Sequence, residues 1–174
     1  MKRPIRPRWL LRLANDLAPE QVGVGQPRNT NLRRAISTAY YGLFHAITLA
    51  TAENALPGAG EGERNAFTRH AAHTGIREVC GWINGAAPPQ AVEETVKRLR
   101  QNARISDVTA TFVALHQARE DADYNHDAEI TRTTTRSLIE RAEKAVAVVE
   151  TDAAADDFRS FLGLLSLKMT LRRG

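Results

Sequence analysis

The feature that most constrains the fold is a long helical pattern between Asn31 and Asn54. Apolar side chains recur at steps of four and three residues, the spacing of one helix face; they are Leu32, Ile36, Tyr40, Leu43, Ile47 and Ala50. Ala35, Ala39 and Phe44 widen this stripe. Because a helix apolar beyond one stripe needs cover on more than one side, we predict burial within a bundle and against another subunit.

The rest of the chain favours the same fold class. Ala, Leu, Arg and Glu abound, whereas strand-like runs of Val, Ile and Thr are nearly absent, which is typical of helical proteins. The chain has 174 residues, 43% of them apolar, enough for one domain with a core. We predict an all-α bundle of four to five main helices plus short helices, with an antiparallel pair of long helices. The single domain spans 1–174, with a basic N-terminal tail at 1–8 and an additional C-terminal helix at 152–174.

Charge and cysteine content limit the partners and the compartment. Lys and Arg number 24 against 20 Asp and Glu, which gives a net charge of +4 and a pI near 9.6, compatible with a polyanionic partner without identifying one. The single cysteine, Cys80, cannot form an internal disulfide. The apolar stretch from Trp9 to Leu13 is too short for a secretory signal, and no run is long enough to cross a bilayer. We expect a soluble, cytoplasmic protein with no membrane partner.

Residues 104–130 form an amphipathic helical pattern that ends in a dense polar segment. The apolar stripe of Val108, Phe112 and Leu115 continues at the same spacing to Arg119 and His126. Seven residues are close to two turns, so in an unbroken helix these two side chains lie on one side, about 10.5 Å apart at Cα. If the helix unwinds near Tyr124, they come closer.

Two motifs carry a family resemblance. Residues 33–46 read RRAISTAYYGLFHA, and Ala118 to Tyr124 read AREDADY some eighty residues later. Together they resemble the HEPN superfamily, in particular its small prokaryotic branch with an Ala-Asp-Tyr motif, over roughly residues 30–150. The active motif of that superfamily is an Arg followed, after four to six residues, by a His. Arg119 and His126 enclose six residues.

The resemblance implies a dimeric, metal-independent endoribonuclease, in active members the toxin of a toxin–antitoxin pair. The always-charged, forked guanidinium of Arg119 suits a phosphate, and the imidazole of His126 suits proton transfer. One such pair is too few for both ends of the reaction, so a two-fold homodimer is expected to supply the second. Glu120 is expected to orient Arg119. Asp123 is expected to pair with an arginine or to raise the histidine pKa, and Tyr124 to hydrogen-bond a phosphate.

Other interpretations stay open from the sequence. A non-catalytic HEPN module would bind a nucleotide, an RNA or a nucleotidyltransferase partner, and an arginine among carboxylates near a helix end often forms only a surface ion-pair cluster. Arg64 and His70 also fit the spacing, but they lack the surrounding motif and are interpreted as a chance match. His45 is predicted to be a packing histidine. No metal-ligand motif or phosphate loop is present, so we expect neither metal nor cofactor.

Overall fold

The computed structural model describes residues 6–19, 28–69 and 73–170, and over these ranges the chain forms eight α-helices, one 3₁₀ turn and no strand. The all-α prediction is confirmed. The α-helices are α1 (Pro7–Leu17), α2 (Asn29–Ala55), α3 (Glu61–Thr68), α4 (His73–Ile83), α5 (Glu93–Leu99), α6 (Ala103–Tyr124), α7 (Arg132–Asp152) and α8 (Asp156–Thr170), and the 3₁₀ turn is Gln90–Val92.

Helix α2 lies at the centre of the bundle. It packs against α1, α6, α7 and α8, and the side chains of Ile36, Tyr40, Leu43 and Ile47 are almost completely buried. Helices of the same chain provide this burial. The predicted burial within a bundle is confirmed, and cover by another subunit stays a prediction.

The antiparallel pair of long helices consists of α2 and α6. Arg33, near the start of α2, contacts the backbone of Asn125 just after α6 ends, and Tyr40, about two turns later, lies against Phe112 and His116. This register places the first turns of α2 beside the last turns of α6. The two sequence motifs therefore meet at one end of the bundle.

The structure sets two helix boundaries that the hydrophobic pattern leaves open, the end of α3 and the start of α7. Helix α3 ends at Thr68, and Gly75, a residue type that often caps helices, lies inside α4. Two residues before α7, Asp127 and Thr131, can both cap a helix. Helix α7 begins after Thr131, whose hydroxyl accepts the N–H of Thr134 at 3.1 Å. Asp127 remains in the preceding turn.

The two ends of the domain were also predicted imperfectly. Residues 1–5 of the predicted tail lie outside the described residues, but Pro7 and Arg8 belong to α1, where proline suits the first helical position. The Nε of Arg8 donates to Glu150 of α7 at 2.8 Å. At the other end, α7 continues to Asp152 and the additional helix begins at Asp156. Its apolar face is buried in the common core, so this helix is part of the bundle.

Within the described ranges, no helix is both long and apolar enough to cross a membrane. The longest, α2, carries arginines in its second turn and polar side chains along its length. Its apolar surface is used inside the bundle instead.

Candidate functional site

Arg33 holds the C-terminal end of α6 in place. Its guanidinium donates to five backbone carbonyls at 2.9–3.3 Å, those of Asp121, Ala122, Asn125, His126 and Ala128. Its Nε donates to the Asn29 side chain at 2.6 Å. The last carbonyls of a helix have no partner within the helix, and the helix dipole favours a cation there. Arg33 thus satisfies these carbonyls and fixes the turn that carries His126.

One turn further along α2, Ser37 fixes the carboxylate beside Arg119. The Ser37 hydroxyl donates to Asp123 Oδ1 at 2.5 Å, and Asp123 Oδ2 lies 2.8 Å from Arg119 Nε. The N–H of Nε does not point at that oxygen, so this contact is an ion pair without a hydrogen bond. The Asp123 carboxylate therefore connects α2 to the guanidinium.

Tyr124 contacts the other side of Arg119. Its hydroxyl accepts from Nη2 at 3.2 Å, and the guanidinium carbon lies 5.2 Å from the tyrosine ring centroid, within cation–π range. Arg119 is only 21% exposed, whereas Tyr124 is 69% exposed. Nη1 makes no hydrogen bond to any described residue and is not shielded from solvent. That nitrogen is available to a ligand.

His126 lies in the exposed turn after α6. The turn is stabilised by the Arg33 contact with the His126 carbonyl and by a bond from the Asp127 N–H to Asn125 Oδ1 at 3.1 Å. In the part of the chain that the structure describes, the His126 imidazole has no hydrogen bond, including to Arg119. The two motif residues therefore share one end of α6, on either side of the point where the helix ends, without touching.

A buried tyrosine lies between two imidazoles next to this end of α6. The Tyr40 hydroxyl is 2.6 Å from His73 Nδ1, and the His73 and His116 rings each lie 5.6 Å from the Tyr40 ring centroid. Burial raises the pKa of the Tyr40 phenol, so the hydroxyl keeps its proton. Since it has no other acceptor among the described residues, that proton points at Nδ1, and neutral His73 carries its own proton on Nε2.

Three histidines lie beside Tyr40 or Tyr41, and their environment favours the neutral form. Burial is the main cause that lowers the pKa of His45, His73 and His116. The charge of Arg119 lowers the pKa of His73 and His116 further, whereas the Glu120 carboxylate partly opposes this at His116. At neutral pH these imidazoles act as uncharged donors and acceptors.

The carboxylate that contacts Arg119 is that of Asp123, whereas Glu120 was predicted to orient Arg119. Glu120 lies 3.6 Å from Nδ1 of the buried His116, too far for a hydrogen bond, and that nitrogen has no hydrogen-bond partner among the described residues. Arg119 is instead oriented by Asp123, in the pairing that was one of the two roles expected for that residue. Tyr124 contacts the guanidinium directly.

The charge around Arg119 is mixed. Five carboxylates lie between residues 120 and 129, those of Glu120, Asp121, Asp123, Asp127 and Glu129. One of them neutralises part of the Arg119 charge and another lies against His116. The end of α6 is therefore a polar surface with both signs of charge.

Four residues of the site were not singled out by the sequence: Arg33, Ser37, Tyr40 and His73. Three belong to the first motif, at steps of four and three that place them on one helix face, and that spacing is a signal by which they can be found. His73 carried no such signal. In the described ranges no group of three or more His, Cys, Asp or Glu side chains could hold a metal ion. The competing Arg64 pairs with Glu53 at 3.2 Å, and His70 lies outside the described residues.

Comparison of the chain with family models, with curated proteins and with solved structures finds no match.

Proposed function

We propose that the chain is a HEPN-type, metal-independent endoribonuclease that acts as a homodimer, in the manner of the toxin of a toxin–antitoxin pair. The observation that supports this most is the contact between its two motifs. Arg33 and Ser37 of the first motif hold the backbone and the carboxylate that fix Arg119 and the His126 turn. Preorganisation of this kind is what a phosphate-handling site needs, because donors must be in place before charge develops.

The proposed reaction is attack of a ribose 2′-hydroxyl on the adjacent phosphorus. One His126 imidazole takes the proton of the 2′-hydroxyl, the bond from phosphorus to the 5′-oxygen breaks, and the protonated His126 of the partner subunit gives its proton to that oxygen. Arg119 stabilises the negative charge on the phosphate oxygens. The products are a 2′,3′-cyclic phosphate and a 5′-hydroxyl. Exposed Tyr124 beside Arg119 offers an aromatic contact to the second subunit or to a base.

The test is cleavage of a single-stranded RNA, with products identified by mass spectrometry. Arg119→Ala should lower the rate by about 100-fold or more, and His126→Ala by a similar factor, since single electrostatic or acid–base groups contribute on that order. Arg34→Ala is the matched control, because Arg34 is an exposed arginine of α2 whose side chain makes no hydrogen bond or ion pair with a described residue. EDTA should leave the rate unchanged.

Sedimentation velocity on the same samples tests the dimer. Cleavage that survives both substitutions, products that carry a 5′-phosphate, or an active monomer would each contradict the proposal. Loss of activity together with loss of the far-UV helical signal would show that the substitution had unfolded the chain. Tyr124→Phe then serves as the milder change at the same site.

A second candidate is a non-catalytic module that binds a nucleotide, an RNA or a nucleotidyltransferase partner. The mixed charge around Arg119 favours it, because carboxylates repel a polyanion and compete for the guanidinium. Binding without cleavage at any protein concentration would support this candidate over the first.

A further inference from the structure

Three hydrogen-bond donors on three different helices reach solvent without a partner. They are Nη1 of Arg119 on α6, the hydroxyl of Tyr41 on α2, and Nε2 of His73 on α4. None of them makes a hydrogen bond to a described residue, and none is among the side-chain nitrogens and oxygens shielded from solvent. Each side chain is itself partly buried. Water satisfies such solvent-facing donors, and a ligand with several acceptor oxygens can replace that water.

The three donors belong to one cluster. The Tyr41 and His73 rings are edge to face, with centroids 5.9 Å apart. The Tyr40 ring lies 5.6 Å from the rings of both His73 and His116, and His116 lies about one turn before Arg119 on α6. The charge of Arg119 also lowers the pKa of His73. The antiparallel packing of α2 on α6, with α4 beside them, brings the groups together.

The hydrogen bond from Tyr40 makes His73 a donor toward solvent. With its Nδ1 occupied by the Tyr40 hydroxyl, neutral His73 presents an N–H at Nε2. Its ring is held against Phe44, with centroids 4.2 Å apart. A fixed neutral N–H beside a guanidinium suits an anionic acceptor without requiring a change of protonation.

The neighbouring carboxylates form no hydrogen bond with the three donors. Asp123 accepts from Ser37 and pairs with Arg119 Nε, and Glu120 lies against His116. What the cluster lacks is an acceptor for its three free donors. A tetrahedral oxyanion supplies several acceptor oxygens at one point, and arginine pairs with it well.

We propose that Arg119, Tyr41 and His73 form a phosphate-binding subsite, with Tyr40 as the positioning residue that sets the His73 tautomer. The assignment of the phosphate to an RNA backbone rests on the proposed function. The subsite lies within one chain. Each subunit therefore contributes Tyr41 and His73 as donors in addition to Arg119.

Binding can be measured apart from cleavage with a single-stranded 2′-O-methyl RNA oligonucleotide, whose blocked 2′-oxygen cannot attack. In fluorescence anisotropy at fixed salt, Tyr41→Phe removes only the hydroxyl and should weaken binding roughly 10- to 100-fold, the usual effect of a hydrogen bond to a charged group. Adenosine 5′-monophosphate and inorganic phosphate, used as competitors, distinguish a backbone phosphate from a free one.

His73 offers a pair of matched variants. In His73→Asn the amide reaches the position of Nδ1 and keeps a partner for Tyr40 but provides no donor at Nε2, so binding should fall as in Tyr41→Phe. In His73→Gln the amide nitrogen reaches the position of Nε2, so part of the affinity should return. His45→Gln is the control, because that half-buried histidine contacts the Tyr41 ring but is not among the three donors.

The outcomes separate this inference from the proposed function. If the wild-type protein does not cleave RNA, yet its oligonucleotide affinity falls in Tyr41→Phe and His73→Asn but not in His45→Gln, the subsite stands and the ribonuclease fails. If the protein cleaves RNA while both variants bind like wild type, the subsite is wrong and the ribonuclease stands. Displacement by the monophosphate with the same variant sensitivity assigns the subsite to a free nucleotide. Absence of binding to all three probes overturns it.

Discussion

Replacement of Arg33 by alanine tests how the end of α6 is held. Of its five carbonyl contacts, those to Asn125 and His126 are exposed, and water can replace them. The contacts to Ala122 at 3.0 Å and Ala128 at 2.9 Å are well formed and partly buried. If each contributes about 1–1.5 kcal/mol net, Arg33→Ala should lower the free energy of unfolding by about 2–3 kcal/mol.

Urea unfolding followed by circular dichroism measures this loss, with Arg34→Ala as the matched control. Because Arg34 is exposed and its side chain makes no hydrogen bond or ion pair with a described residue, its removal should change stability by less than about 0.5 kcal/mol. Arg33→Lys should fall between wild type and alanine, since a single ammonium cannot span carbonyls on both sides of the turn. Amide hydrogen exchange should rise in residues 121–128 of Arg33→Ala before it rises elsewhere.

An Arg33→Ala protein as stable as Arg34→Ala would refute this reasoning. It would mean that the carbonyls are hydrated at little cost and that the turn keeps its shape without the guanidinium. If amide exchange in residues 121–128 is unchanged while the free energy of unfolding falls as expected, Arg33 stabilises α2 itself rather than the turn after α6.

Three further predictions concern stability in the same urea assay. The buried histidines have pKa values below the ordinary 6.5, so as the pH falls the unfolded chain binds protons before the folded chain does. The free energy of unfolding should therefore be full above pH 6.5 and decrease as the pH drops below it. His116→Gln should make that decrease smaller. Gly163→Ala in α8 should stabilise the protein by up to about 1 kcal/mol, because an added Cβ has open space there. Gly42→Ala should lack that gain or destabilise the protein, because its Cβ would lie 3.0 Å from Leu11. Ser37→Ala should cost up to about 1 kcal/mol, because it removes the hydroxyl that donates to Asp123 in an exposed hydrogen bond. Equal stability would show that water replaces the serine.

The core of the fold was predictable because its signal is local. The apolar stripe of α2 alone indicated a central buried helix, and Ile36, Leu43 and Ile47 are indeed buried in the middle of the bundle. Helix ends were less predictable because neighbouring polar residues compete for the same role. Asp127 and Thr131 can both cap a helix, and only the backbone path after α6 decides that Thr131 does so.

The site was predictable only in part, for a related reason. Spacing along one helix indicated that Arg119 and His126 lie at the same end of α6, which needs no tertiary information. The partners that hold them come from 86 to 95 residues away in sequence, as with Ser37 to Asp123 and Arg33 to Ala128. Contacts of that kind follow from the antiparallel register of two helices, which periodicity in one helix does not specify. His73 depends in addition on where α4 begins.

The first motif contains two kinds of polar residue, and the structure separates them. Arg33, Ser37 and Tyr40 have their polar groups bonded inside the chain, to the backbone after α6, to Asp123 and to His73. Tyr41, next in sequence, has a hydroxyl with no hydrogen bond to a described residue. Its neighbour Tyr40 is fully buried. The Tyr41 hydroxyl bonds no described residue, so Tyr41→Phe should leave the free energy of unfolding unchanged while it weakens phosphate binding. The Tyr40 hydroxyl bonds His73, so Tyr40→Phe should lower both stability and phosphate binding.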